Sequence, residues 1–401
     1  MRAHHILLVG GRGHELPKVR RLGLRYSMIQ SPERDDVQHA AAAERYAVRD
    51  YRVFDDVLPV ARAWHAADPF DAVLSFTEYG LEPASRCAAA LGVPGDNLAA
   101  VLLTRDKTRT RALLDRHGLS PVRHRLCGTP SEAREFMAAL GGRPIVLKPP
   151  AGGLSEGVYL VADASGLAER WGWTSLVAAG PVLAEEYLDG PEYSVESVSQ
   201  DGKHEIVMVT EKLTTGAPGF VELGHQMPAR LTPADREAVD HLVLRFLDLV
   251  GQRTGPVHTE LRITRDGPRL IEAQTRIGGD QIWEMTELVT GADLISETLA
   301  GLLGLPAPAR SPGARAAAIR FLAFEHTTVG TVHGLAEARQ APGVRRLVCT
   351  LAPGRVLGPV TSSDSRQGYV LCEGEDTAEA LARAEAARDR VRIDPAPPRR
   401  G

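Results

Sequence analysis

The sequence is poor in cysteine. Cys87, Cys127, Cys349 and Cys372 are its only four, and none forms a C-x-x-C pair. That argues against a zinc site and a disulfide framework, and it fits a reducing cytoplasm. No apolar run is long enough to span a bilayer, so no membrane partner is expected. The opening Met1-Arg-Ala-His-His-Ile-Leu-Leu-Val-Gly10 is too briefly apolar for a secretory signal and reads as a first strand. Lysine and arginine together number 47 against 51 aspartates and glutamates. With no basic patch, nucleic acid is excluded as the main partner. Repeats, low-complexity tracts and a Cys/His arrangement for covalent catalysis are also missing.

What is present is a rhythm of strands and helices. Apolar strands at 5–10, 26–30 and 69–76 alternate with helical segments, including one at 83–91, as in a parallel doubly wound sheet. The turn Gly10-Gly-Arg-Gly13 lacks the third glycine of a dinucleotide fingerprint and reads as a tight strand-to-helix turn. A helix is expected at 104–117, closed by Gly118. A long helical stretch follows at 280–304, interrupted near Gly291. Residues 306–313 (Pro-Ala-Pro-Ala-Arg-Ser-Pro-Gly) read as a linker. After it, strands at 316–324, 346–351 and 368–373 and a helix at 377–391 form a small α+β unit.

The richest segment is a hairpin. Residues 256–264 and 268–277 alternate with period two around Asp266-Gly267, a strong turn signal. Val257, Thr259, Leu261 and Ile263 share one face with Ile271, Ala273, Thr275 and Ile277. His258, Glu260 and Arg262 share the other with Glu272, Gln274 and Arg276. A register centred on Asp266 sets Glu260 opposite Glu272, and like charges across a ladder are destabilising. With nothing local to neutralise them, a hard cation held by Glu260, Glu272 and the amide oxygen of Gln274 is expected, with Arg276 as a positive group beside it. The same alternation also fits the solvated face of an edge hairpin.

Other signals are modest singly. Lys148 ends a strand and precedes the glycine-rich run Gly152-Gly-Leu-Ser155-Glu-Gly157, which can cradle phosphates or simply turn the chain. In Leu183-Ala-Glu185-Glu186-Tyr-Leu188, Glu185 and the Leu188 backbone could grip an adenine edge, and Glu192 could take ribose hydroxyls. A charged edge strand is the alternative. Lys107 alone reads as a solvated helical lysine.

Their order is more telling. A helical lysine, a lysine before a glycine-rich loop, Glu-Glu-x-Leu and then Glu…Glu-x-Gln-x-Arg resembles the ATP-grasp superfamily over roughly residues 100–300. Gly219-Phe-Val-Glu222-Leu-Gly-His225-Gln-Met-Pro228 and Ile271-Glu-Ala-Gln-Thr-Arg-Ile-Gly-Gly-Asp-Gln-Ile282 look like the L-amino-acid ligases, ATP-dependent dipeptide synthetases of the bacilysin-ligase type. The resemblance covers essentially the whole chain. It implies an α/β and α+β multidomain protein. A doubly wound parallel-sheet domain (1–103) would precede a central ATP-grasp fold (104–305, with a nucleotide-binding subdomain at about 118–190). The linker at 306–313 and a small C-terminal α+β domain (314–401) would follow.

The resemblance also implies roles. Lys107 and Lys148 would hold ATP phosphates under the Ser155 and Gly157 loop. Glu185, Glu186 and Leu188 would face adenine, and Glu192 the ribose. Mg²⁺, or Mn²⁺, would sit on Glu260, Glu272 and Gln274. Arg276 and Gly279 would border the reacting carboxylate. Glu222, His225 and Ser155 would line the pocket of a first amino acid, closed by Glu78 and Tyr79. His225 is either a base for the incoming amine or only a hydrogen-bonding wall. The implied activity activates a carboxylate as an acyl-phosphate and joins it to an amine, with small amino-acid substrates and a possible homodimer. Two alternatives stay open: another carboxylate–amine ligase or carboxylase of purine-pathway or biotin-carboxylase type, and a non-catalytic ATP-binding protein.

Overall fold

The computed structural model describes residues 2–153, 155–217 and 219–397. Its first unit is a four-stranded parallel sheet in the order Tyr46–Val48, Arg25–Gln30, His5–Val9, Ala72–Leu74. Alternate residues of the central strand feed opposite faces. Ile6 and Leu8 join Leu16, Val19 and Leu299 on one side, and Leu7 and Val9 join Val57, Ala61 and Ala84 on the other. Helices cover both faces, so the strand reads as a continuous apolar run. The short strand Tyr46–Val48 has no apolar pattern of its own and was not foreseen.

The expected helix at 104–117 is Lys107–Arg116, preceded by a separate helix, Leu98–Thr104. Lys107–Arg116 starts where the Asp106 carboxylate accepts from the Thr108 and Arg109 amides. This cap makes Lys107 the first helical residue. Strands His124–Cys127, Val182–Glu186, Ile145–Lys148 and Tyr159–Val161 then form an antiparallel sheet. Helices Pro130–Ala139 and Leu167–Ala178 share its apolar core.

The largest sheet has eight strands in the order Gly267–Gln274, Gly255–Thr264, Glu192–Gln200, Lys203–Thr214, Glu222–Met227, Ala316–Phe321, Gly368–Gly374, Val344–Cys349. It runs straight across the 306–313 segment, because Ala316–Phe321 pairs with Glu222–Met227, with His225 opposite Ile319. The C-terminal unit therefore extends the central sheet, and also builds a small sheet of its own from Val356–Leu357, Thr327–His333 and Arg392–Pro395. One face of this sheet is sealed by helix Pro233–Val250, whose Val239, Leu242, Val243, Phe246 and Leu247 meet Tyr193, Val195, Val257, Leu261 and Leu270. The opposite face is apolar where helix Ile282–Thr290 packs on Met208, Met227 and Ile319, and polar on the strands Glu192–Gln200, Gly255–Thr264 and Gly267–Gln274.

The hairpin has the anticipated Glu260–Glu272 pairing, but by a different route. Thr264 pairs with Gly267 and Leu261 with Leu270, a register that would set Glu260 opposite Ile271. A bulge between Leu261 and Glu260 inserts one residue and brings Glu272 opposite instead. Leu270 and Ala273 consequently face the core, and Ile271, expected there, lines a cleft on the other side.

Candidate active site

The polar part of the large sheet's second face is a grid of charged groups. Glu192, Ser194 and Glu196 register with Arg262, Glu260 and His258 on the neighbouring strand, and Glu260 and His258 register in turn with Glu272 and Gln274. The residues alternate because the strands do, since Tyr193 and Val195 are in the core.

The facing glutamates are not left unneutralised, contrary to the sequence expectation. Lys107 Nζ lies 2.9 Å from Glu272 Oε2, and Lys212 Nζ lies 2.9 Å from Glu260 Oε1. Burial would lower the Lys107 pKa, yet the Glu272 charge holds it above its ordinary value. Lys107 also donates to the Gly152 carbonyl at 3.0 Å, tying helix to glycine-rich loop. It is buried, not solvated. Lys212 reaches Glu192 at 2.8 Å and Glu222 at 3.5 Å as well. His258 bridges Glu196 (2.5 Å) and Glu260 (3.1 Å), and these carboxylates raise its pKa to about 9 against the burial that would depress it.

Gln274 Nε2 donates to Glu272 at 2.8 Å, while its Oε1 is buried with no partner among the described residues. A buried oxygen with unfilled lone pairs beside two carboxylates is a fitting donor for a hard cation. No cluster of three His, Cys, Asp or Glu able to hold a metal occurs among the described residues. Two carboxylates and an amide suit a Mg²⁺ whose remaining ligands come from polyphosphate, not an all-protein cage.

Two compartments meet at this pair. The first is a cleft between the two antiparallel sheets, lined by Lys148, Val146, Tyr187, Leu188, Phe220 and Ile271 among others. Beneath it Glu185 accepts from Arg111 Nε at 2.6 Å and from Lys148 at 2.7 Å. Burial opposes the charge on Glu185, but Arg111 and Lys148 bring its pKa down to about 2. Burial also lowers the Lys148 pKa. With its oxygens taken, Glu185 holds Lys148 in place, where the sequence reading gave it an adenine edge. Glu186 turns its carboxylate to the Arg123 amide at 2.8 Å. Arg262 packs beside both the Tyr187 and Phe220 rings, 5.4 and 5.1 Å from their centroids, while the rings stack on each other at 6.2 Å. Its donors occupy the Leu188 carbonyl (2.9 Å) and Glu192 Oε2 (3.0 Å). The loop carries Gly152 at φ +124° and Gly157 at φ +73°, where a Cβ would come within 3.0 Å of Pro149 and Val177. Its letters Gly153-Leu-Ser155-Glu-Gly157 match a nucleophile elbow, but it joins two strands, Ile145–Lys148 and Tyr159–Val161, and so lacks that motif's strand-to-helix context.

The second compartment is walled by the first domain, the sheet and the C-terminal unit, and shares Ser155, Glu260 and Glu272 with the first. Arg276 Nε contacts Glu78 at 2.9 Å, and Glu78 also pairs with Arg105. Glu222 accepts from Ser363 at 2.9 Å. His225 is buried, with Nε2 3.3 Å from Asp280 and Nδ1 unpartnered among the described residues. Arg366 clamps Asp280 with two bonds of 2.6 and 2.8 Å. Gly279 and the half-exposed Tyr79 line the same cavity.

Sequence reading missed Arg111, Lys212, Arg366 and the first-domain arginines Arg12 and Arg34 that line the second compartment. Arg111 had a signal, since it stands four residues after Lys107 on one helix face. Lys212 had only strand alternation.

The sequence matches the models of three domain families: the ATP-grasp N-terminal domain over 16–95, the ATP-grasp domain over 142–284 and the L-amino acid ligase C-terminal domain 2 over 320–395. It is 30% identical to carnosine synthase 1 of Gallus gallus, across 94% of this chain and 43% of that one. It is 24% identical to the alanine–anticapsin ligase of Bacillus amyloliquefaciens, across 67% of each. The chain spans about half the length of the curated relatives with the strongest alignments, 59% and 43%. The crystal structure of an L-amino acid ligase from Bacillus licheniformis shares the fold, with a TM-score of 0.83 over 99% of this chain and 100% of that one at 24% identity.

Proposed function

We propose, from the matches to the ATP-grasp domain models over 16–95 and 142–284 and to the L-amino acid ligase C-terminal domain 2 over 320–395, that this chain is an ATP-dependent ligase joining an amino acid through its carboxylate to an amine. The product is a dipeptide or amino-acid amide. The observation that carries this reading is the junction of the two compartments at Glu260 and Glu272, with Lys107 and Lys148 on the cleft side and Arg276 on the other.

The cleft takes ATP, with the base among Val146, Tyr187, Leu188 and Phe220 and the phosphates toward Lys107 and Lys148. Glu260, Glu272 and Gln274 would hold Mg²⁺ or Mn²⁺, which would supply positive charge beside the phosphates. The carboxylate of the acid attacks the γ-phosphorus as the bond to ADP breaks, giving an acyl-phosphate. The amine nitrogen then attacks the acyl carbon, the bond to phosphate breaks, and nitrogen loses a proton. Such transfers need alignment and charge more than a protein nucleophile. Arg276 meets the carboxylate and its phosphate, and Glu222 the ammonium of the acid. His225, held by Asp280 in the wall of this cavity, is the candidate to take the proton, the alternative being a hydrogen-bonding wall residue. Closure of the glycine-rich loop would keep water from the acyl-phosphate.

The test is phosphate release from MgATP with pooled amino acids, with products identified by mass spectrometry. Release that needs an amino acid and yields a mass of two substrates less water supports the proposal. Release that depends on bicarbonate instead, with no condensed product, overturns it in favour of a carboxylase.

A further inference from the structure

The glycine-rich turn after the first strand has so far no part in the function. It is built with unusual care for a simple turn. Gly10 has φ +69°, and a Cβ there would lie 2.8 Å from the Tyr51 ring. A Cβ on Gly11 would come 2.5 Å from Met28 Cε. The Gln30 amide donates to the Gly11 carbonyl at 3.0 Å, and Glu15 Oε1 accepts from the Arg12 N–H at 2.9 Å. The backbone is thus pressed against the sheet, and the side chain that leaves it, Arg12, lines the second compartment beside Arg34 from the next strand-to-helix connection.

Neither guanidinium has a carboxylate within ion-pair distance among the described residues, although nearly every other charged group around this cavity is paired. Asp364 lines the same cavity but lies beyond ion-pair reach of Arg12. Burial and the positive charges of Arg34 and Arg276 lower the Arg12 pKa, outweighing the opposing charge of Asp364. The cavity is therefore polarised. Its sheet wall presents Glu222 to an ammonium, and its first-domain wall presents to an anion two guanidinium groups without an ion-pair partner among the described residues.

Resting on the ligase reading above, we infer that Arg12 and Arg34 bind the carboxylate of the amine-bearing substrate. The acceptor is then an amino acid or another amine with an acidic group, not a neutral or cationic amine. The acid substrate already has Glu222 for its ammonium and Arg276 for its reacting carboxylate. The second molecule has to bring its nitrogen to the acyl carbon with its remaining charge against the remaining wall. Guanidinium forks match carboxylates in geometry and charge.

The experiment first traps the acyl-phosphate with hydroxylamine, to find acids that are activated. It then measures acceptor KM for matched sets: an amino acid, its carboxamide and its decarboxylated amine. Wild-type protein should favour the carboxylate-bearing member by about tenfold or more, the scale of a lost charge-assisted contact. Arg12→Ala and Arg34→Ala should raise acceptor KM about tenfold and shift donor KM far less. Arg12→Lys should recover part of the loss, and Arg12→Glu should turn the preference toward the decarboxylated amine. A merely structural role would not reverse selectivity. If hydroxamate forms but amides and decarboxylated amines serve equally well, or the variants leave acceptor KM unchanged, this inference falls and the ligase reading stands. If no acid yields hydroxamate or phosphate, the ligase reading falls and the inference with it.

Discussion

Glu260 and Glu272 stand opposite one another across the hairpin, and each keeps its own lysine, Lys212 for Glu260 and Lys107 for Glu272, both at 2.9 Å. The two lysines come from different elements, the strand Lys203–Thr214 and the first turn of helix Lys107–Arg116. The carboxylate pair thus joins the sheet face to the nucleotide loop, because Lys107 also holds the Gly152 carbonyl. A cation and phosphates entering here would compete with lysines already in place.

Glu272→Gln removes one charge from this junction and keeps its shape. Amino-acid-dependent phosphate release should fall by on the order of a hundredfold or more, as for loss of a charged group aimed at the transition state. Wild-type turnover in this variant would remove Glu272 from the metal site.

Arg111 is buried, 1% exposed, with bonds to both Glu185 oxygens and to the Leu270 carbonyl. Arg111→Ala strands Glu185 with Lys148 alone. A loss of roughly 3–5 kcal/mol is expected in urea unfolding, because breaking a buried pair leaves an uncompensated charge. A loss below about 1 kcal/mol would mean water reaches the pair.

The same carboxylate sets an acid limit. The Glu185 pKa drops from 4.5 to about 2 in the folded protein, so between these values the unfolded chain binds more protons. Stability from this group is fully present above pH 4.5 and fades as pH falls toward 2, by about 3 kcal/mol in all. Unfolding free energy of the wild type should therefore slope upward with pH across that window, and Glu185→Gln should lose this part of the slope.

Glu222→Ala should act on binding more than on chemistry. KM for the activated amino acid is expected to rise about ten- to a hundredfold, with a smaller change in kcat. Unchanged dependence on that substrate would take Glu222 out of its pocket.

Gly278 donates its N–H to Glu196 at 3.0 Å, and a Cβ there would lie 2.9 Å from the same carboxylate and 3.0 Å from His258 Nδ1. Gly278→Ala should cost about 1–3 kcal/mol in thermal or urea unfolding through overpacking. A fully stable variant would show that the Glu196–His258 pair can shift aside.

The sequence by itself determined the local patterns. Period-two alternation set the polar faces of the hairpin, glycines marked the loops, and the chain order of lysines and glutamates carried the family resemblance. These are short-range properties, written in consecutive residues. Tertiary structure decided the partnerships. The bulge that seats Glu272 opposite Glu260 depends on Leu270 and Ala273 both finding the core, and the turn sequence alone does not encode it. Arg111 meets Glu185 from 74 residues away, and Arg276 meets Glu78 from 198. A lone lysine such as Lys107 or Lys212 is solvated or buried according to which carboxylate the fold brings to it, because a charge leaves water only where a counter-charge waits.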